Sequence, residues 1–220
     1  MKKITLLLGM LLGGVATSQA QTGVQFGLKT GLSMAVLDGT INQETKFKPG
    51  LHVGAVMRWR PSTHVAIQPE LVYSQQGSSN EQMVGYGTML ENKTKLSYLN
   101  LPILLKVYLG EVVNLQVGPQ FGLLLGARQD GQVGYYSGSG GSGYVSENND
   151  VKADYKGDVG LCGGVGVDLK NGLLVAARLN YGLSDINNNE QDKQAREYYN
   201  IGGLHNRVLE FSVGYMFGGK

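Results

Sequence analysis

NGLLVAARLNYGLSD, residues 171–185, decides the fold. From Leu173 every second residue is apolar or aromatic: Leu173, Val175, Ala177, Leu179, Tyr181 and Leu183. Leu174, Ala176, Arg178, Asn180 and Gly182 fill the positions between. A period of two belongs to a β-strand, whose successive side chains point to opposite faces. Arg178, charged at any ordinary pH, therefore stands on the face opposite an unbroken apolar row. The Asn171-Gly172 pair ahead of this strand reads as a tight hairpin turn, because both residues accept positive φ.

The same alternation recurs at 24–34, 51–59, 65–73, 99–109, 113–125, 159–169 and 209–217, making eight strands in all. Three connections are short: Pro61-Ser62-Thr63, Gly110-Glu111-Val112 and Lys170-Asn171-Gly172. The other four, 36–46, 77–92, 129–152 and 184–206, are long and polar and read as loops. Short turns at one end and long loops at the other, with both termini on the short side, is the plan of a bacterial transmembrane barrel. The expected fold is all-β, an eight-stranded antiparallel up-and-down transmembrane β-barrel.

The faces sort the two solvents. A soluble barrel would turn its apolar face inward and its polar face to water. Here the polar face is rich in glycine and poor in the Lys and Glu of a solvated surface. The apolar face carries aromatics at its borders, as membrane interfaces select. Phe26, Trp59, Tyr215 and Phe217 mark the short-turn border; Tyr73 and Tyr181, joined by Tyr155, mark the loop border. The charges on the other face are Lys29, Arg58, Glu70, Lys106, Asp168, Arg178 and Glu210, with Gln68, Asn100, Asn114, Gln116, Gln120 and Asn180 among them. Eight strands enclose a space just wide enough for side chains to fill. These residues are therefore expected to form a polar plug, with Glu210 accepting from Arg178 and Lys29.

Outward from the strands, residues 1–20 read as a signal peptide: Lys2 and Lys3, an apolar run, then Ser18 and Ala20 before the cleavage point. The barrel domain is assigned to residues 21–220. The 200 residues left of 220 suffice for one domain. A formal net charge of +2 does not point to nucleic acid. With 34 glycines and 5 prolines the composition suits turns and packed strands over helices. Cys162, the single cysteine, excludes an intramolecular disulfide.

YLNLPILLKVYL at 98–109, VGPQFGLLLGA at 117–127, GDVGLCGGVGVDL at 157–169 and the closing EFSVGYMF at 210–217 together resemble the porT-like outer-membrane β-barrel domain common in Bacteroidota. In plan the chain is also similar to OmpA- and OmpX-type barrels. The resemblance covers residues 21–217 and rests on diffuse barrel patterns, of which LNLP followed by Gly118-Pro119 is the most distinctive. It implies an eight-stranded barrel of the outer membrane with no assigned activity. Many such barrels end on an aromatic residue, whereas Gly218-Gly219-Lys220 follow Phe217 here.

Chemistry finds little support. Outer-membrane deacylases use a His-x-Ser pair, and neither His52, His64 nor His205 is followed two residues later by serine. His205 with Asp185 or Asp192 could imitate the rim of an outer-membrane protease, but those enzymes use larger barrels. Asp130, Glu147 and Asp150, or Asp185, Glu190 and Asp192, could offer oxygen ligands, yet neither set has the spacing of a calcium loop. Asn92-Lys93-Thr94 fits a glycosylation sequon that has no meaning in this setting. GYYSGSGGSGYVS at 134–146 reads as a flexible loop or a tyrosine-rich contact surface.

The expectation is a non-enzymatic outer-membrane barrel with no cofactor and no metal. Its partners would be the membrane lipid and an external protein or glycan ligand met through the loops, in a structural or adhesive role. The alternatives are a narrow pore or secretion-assembly factor and, third, a lipid-modifying enzyme. Because Cys162 has no partner, unheated and heated samples should migrate differently on gels whether or not reductant is present. A shift that requires oxidised protein would overturn this.

Overall fold

A computed structural model describes residues 23–39, 44–84, 88–136 and 142–218. The signal-peptide assignment falls on residues outside that range. The strands are β1 (Val24–Asp38), β2 (Glu44–Trp59), β3 (Val65–Val84), β4 (Thr88–Leu109), β5 (Val113–Tyr136), β6 (Ser142–Asp150), β7 (Asp158–Asp168), β8 (Leu173–Gly182) and β9 (His205–Phe217). Among the described residues a 3-10 turn spans Lys152–Asp154, and the α-helix α1 (Glu190–Tyr198) lies between β8 and β9.

Every neighbouring pair is antiparallel, and β1 pairs with both β2 and β9. The order runs β4-β3-β2-β1-β9-β8-β7-β5, and β4 pairs with β5 to close the ring. Eight strands thus form a closed barrel, which leaves no backbone edge unpaired where lipid would meet it. β6 is a ninth strand that pairs only with the distal half of β5, from Arg128↔Asp150 to Tyr136↔Ser142.

The side-chain alternation sets inside and outside. Leu123 is 62% exposed while Leu124 beside it is 8% exposed. Leu28, Leu32, Leu51, Leu71, Leu105, Leu115, Val165, Leu179 and Phe211 form an exposed apolar belt around the wall. Such a belt would be intolerable in water and is what bilayer hydrocarbon requires.

Three features of the sequence reading need correction. The long connections at 36–46, 77–92 and 129–152 are largely strand: β1 to β5 run on past the belt, and β3 pairs with β4 as far as Val84↔Thr88. The backbone groups satisfy one another there, so polar composition does not end the strand. The last connection holds α1, whose N-cap Asn189 accepts from the backbone N–H groups of Gln191 and Asp192. At the β7–β8 turn only Gly172 has positive φ, +93°. Asn171 instead accepts from Leu173 N–H through its Oδ1 at 3.1 Å, stabilising the turn by its side chain.

Ile103 lies on the exposed belt of β4 and is 38% exposed. Ile103→Arg should destabilise the barrel by roughly 2–4 kcal/mol in lipid vesicles, as measured by urea unfolding. A neutral effect would mean that this face does not meet hydrocarbon.

Candidate functional site

Inside the barrel, every charged residue of the expected plug is buried, and the charges gather on two carboxylates. Asp168 on β7 receives Lys106 Nζ at 2.7 Å and the Tyr108 hydroxyl at 2.7 Å, both on Oδ2. Asn114 Nδ2 donates to the same oxygen at 3.1 Å, and Arg58 lies 3.1 Å from Oδ1. Glu70 on β3 is the second centre. Arg178 grips it with a two-pronged fork, NH1 to Oε2 at 2.7 Å and NH2 to Oε1 at 2.8 Å. Lys29 Nζ lies 2.7 Å from Oε2.

Two glutamines join these centres into a closed circuit. Gln68 Oε1 accepts from Arg58 and Lys106, and its Nε2 donates to Glu70 at 2.6 Å. Gln116 Oε1 accepts from Arg178 Nε at 2.7 Å, and its Nε2 donates to Asn114 at 2.8 Å. One can therefore walk from Asp168 through Asn114, Gln116, Arg178, Glu70, Gln68 and Lys106 back to Asp168. Small residues on β7 make room for it. A Cβ on Gly164, the register partner of Arg178, would lie 3.0 Å from Arg178 Cγ. One on Gly166 would lie 2.2 Å from Gln116 Nε2.

The expected Arg178–Glu210 hydrogen bond is not formed, although the two are register partners. The guanidinium reaches across the lumen to the far wall instead. A planar fork binds best where both carboxylate oxygens are presented together, and Glu70 presents them so. Glu210 remains buried beside Ser33 in the register.

The loop end of the lumen is apolar, while the short-turn end carries the Arg58–Asp168 pair beside a small apolar cluster. At the loop end Leu37, Leu96, Tyr98, Leu124, Ala127, Ile186 and Leu204 form a buried cluster, with Val151 and Tyr155 packed against it. Tyr98 anchors it by donating to the Lys156 carbonyl at 3.0 Å. Tyr155 therefore belongs to this stopper and not to the outer aromatic border. At the short-turn end Val56, Leu174 and Met216 pack together. Sequence reasoning missed the stopper. Leu37, Leu96, Tyr98 and Leu124 continue the inward parity above the polar rows, but Ala127 turns in only after a register shift, and Ile186 and Leu204 come from the last loop, where no period signals them.

Phe26, Trp59, Tyr73, Tyr181, Tyr215 and Phe217 all lie exposed on the outer face. Arg207 stacks over the Tyr181 ring at 3.4 Å and pairs with Asp38 at 3.1 Å. His52 is buried in the lumen with Nε2 2.9 Å from Ser212 Oγ; His64 is exposed beside the β2–β3 turn. His205 Nδ1 lies 3.1 Å from the Ser184 carbonyl.

The acidic sets are occupied locally. Asp130 pairs with Lys95, and Glu190 with Lys193. Asp185 Oδ1 accepts from the N–H groups of Asn187 and Leu204. Partial burial pushes its pKa upward, but those two N–H groups outweigh it and hold the carboxyl below its usual range. The side chains of Glu147, Tyr135, Tyr136 and Tyr144 lie outside the described residues.

Residues 19–188 match the family model described as outer membrane protein beta-barrel domain. Among solved structures, Neisserial surface protein A aligns over 88% of this chain and 98% of its own, at 12% identity and a TM-score of 0.51. The attachment invasion locus protein Ail of Yersinia pestis covers 89% of this chain and 100% of its own, at 12% identity and a TM-score of 0.45. OprG of Pseudomonas aeruginosa covers 89% and 96%, at 13% identity and a TM-score of 0.40. No curated protein matches the chain significantly.

Glu70→Ala should be the most damaging single change in the lumen, since it leaves two buried bases uncompensated, a loss of roughly 3–5 kcal/mol. The Glu70→Ala, Arg178→Ala double variant should lose less than the two single losses added. Glu210→Ala leaves the Arg178 fork intact and should cost less than Glu70→Ala. Equal costs at Glu70 and Glu210 in urea unfolding would contradict the circuit.

Proposed function

Since the chain belongs to the outer membrane protein β-barrel domain family and resides in the bacterial outer membrane, we propose that it is a non-conducting anchor for an external binding platform. The observation that carries this reading is the closed lumen. Lys106, Arg178, Glu70, Gln68 and Asn114, each no more than 2% exposed, knit opposite walls together across the space that a pore would need. Above them the apolar stopper closes the mouth.

The platform consists of strand that continues beyond the apolar belt. The β3–β4 and β5–β6 hairpins and α1 lie on the loop side, the side that outer-membrane barrels turn outward. An external protein or glycan is the class of partner this suits, in a structural or adhesive role. A secretion-assembly factor, which the porT-like resemblance suggests, would share the plugged barrel and differ in its partner. Lipid modification is disfavoured: the His52–Ser212 pair superficially resembles a base and nucleophile, yet both are buried within the plug, 1% and 4% exposed.

Single-channel recording in planar bilayers should show no defined conductance for the full chain. Replacing residues 129–149 by a short turn should leave the heat-dependent gel shift intact while abolishing attachment of expressing cells to external protein or glycan surfaces. Regular conductance steps would overturn the anchor reading in favour of a pore.

A further inference from the structure

The loop end of the wall carries a cationic groove that the anchor role leaves unused. Its volume is about 650 Å³, and Lys48, Gln75, Lys95, Arg128, Asp150 and Lys152 line it. Lys95 and Arg128 are register partners on β4 and β5, and both are exposed. They therefore stand side by side on the outer face of the sheet. Lys48 reaches the Gln76 carbonyl with its Nζ at 3.3 Å.

The height of this groove is fixed by its neighbours. Tyr73 stands on the outer face at the loop-side border and pairs in register with Leu99. The next outward rung is Gln75 with Ser97, and Tyr73 donates to Ser97 Oγ at 3.3 Å. Lys95 follows one rung higher, four residues beyond Leu99. At about 3.4 Å per residue and a tilt near 40°, that is roughly 10 Å above the aromatic border. Polar headgroups begin just beyond that border, in a layer several ångströms thick on each side.

The local charge is unbalanced. Four bases line the groove against Asp150, with Asp130 beside it on Lys95. Asp150 is engaged by the backbone N–H of Lys152 at 3.0 Å.

We propose that this groove binds the phosphate of an outer-leaflet glycolipid headgroup, seating one lipid against β4 and β5. Lys95 and Arg128 face the lipid from the sheet, and Lys48 and Lys152 close on the phosphate from either side. Arg128 supplies a planar fork for two phosphate oxygens, and the lysines act as point charges. A soluble anion would bind equally well at a loop tip, whereas these cations stand above the aromatic border, within side-chain reach of the headgroup layer.

The test uses the full-length folded barrel and vesicles containing lipid A with both phosphates, or the same lipid with the phosphates removed. Bisphosphorylated lipid should raise the temperature of the heat-dependent gel shift, and the phosphate-free lipid should not. Lys95→Gln with Arg128→Gln should weaken apparent affinity tenfold or more, given about 1 kcal/mol per cation near an anionic surface. Asp130→Asn, which frees Lys95, should tighten binding, so a variant lost to misfolding cannot imitate the result. Equal stabilisation by both lipids, or affinity unchanged in the double variant, would overturn the proposal. Lys95-dependent binding of a sulfated oligosaccharide without any phosphate-dependent lipid effect would also overturn it, assigning the groove to a soluble glycan.

Discussion

The Arg178–Glu70 fork across the lumen is the contact on which the rest of the barrel interior depends. It joins β8 to β3, strands that share no ladder, and so fixes the distance between opposite walls. A buried ion pair adds little net stability over an apolar core of the same shape, because desolvation cancels most of the attraction. What it contributes is selectivity. A lumen displaced by one register step would leave a guanidinium and a carboxylate unpaired in a confined space, at a cost of several kcal/mol. The fork therefore penalises wrong closures more than it rewards the right one.

That arrangement follows from reversing the usual solvents. Hydrocarbon bathes the outside, so apolar side chains gain nothing by turning inward, and the interior becomes the only refuge for polar groups along the span. The pleat then does the sorting without further instruction, because alternate residues face alternate media. Ring closure is obligatory for the same reason: an open edge would leave N–H and C=O groups without partners in lipid. Once charges occupy the lumen of so narrow a barrel, they must be satisfied by one another. A plug is the natural outcome for eight strands, and the anchor reading rests on it.

The sequence made the faces legible and hid the contacts. Alternation through Leu173–Tyr181 or Leu99–Leu109 fixes which side chains turn inward, and parity assigns Lys29, Arg58, Glu70, Lys106, Asp168, Arg178 and Glu210 to the lumen, where all seven are buried. Parity says nothing about who meets whom across an empty space. Adjacent strands put Arg178 beside Glu210, which is why the sequence suggests that pair; only the radius of the closed barrel brings Glu70 within reach. The stopper was obscured for two other reasons. A register shift at Ser97/Tyr98 reverses the parity beyond Leu124 and turns Ala127 inward, and Ile186 and Leu204 lie where no strand period exists. The helix was masked by composition, since the polar, asparagine-rich run at 184–189 reads as loop and hid the Asn189 cap followed by Glu190 and Asp192.

Glu210 shows how charge is settled when direct contact is not available. Lys29, Arg58, Lys106 and Arg178 are all drawn to Glu70 and Asp168, two bases to each acid. Two carboxylates cannot neutralise four bases, so the circuit alone would concentrate positive charge inside a low-dielectric wall. Glu210, in register with Arg178, supplies a third negative charge without taking a prong of the fork. At an effective dielectric near 20, two charges interact by about 4 kcal/mol at about 4 Å, and the attraction falls only as the inverse of distance. Proximity thus suffices where geometry is already taken. This division also explains why the lumen tolerates both kinds of acid: Glu70 and Asp168 set the shape of the interior, and Glu210 lowers the charge that shape would otherwise confine.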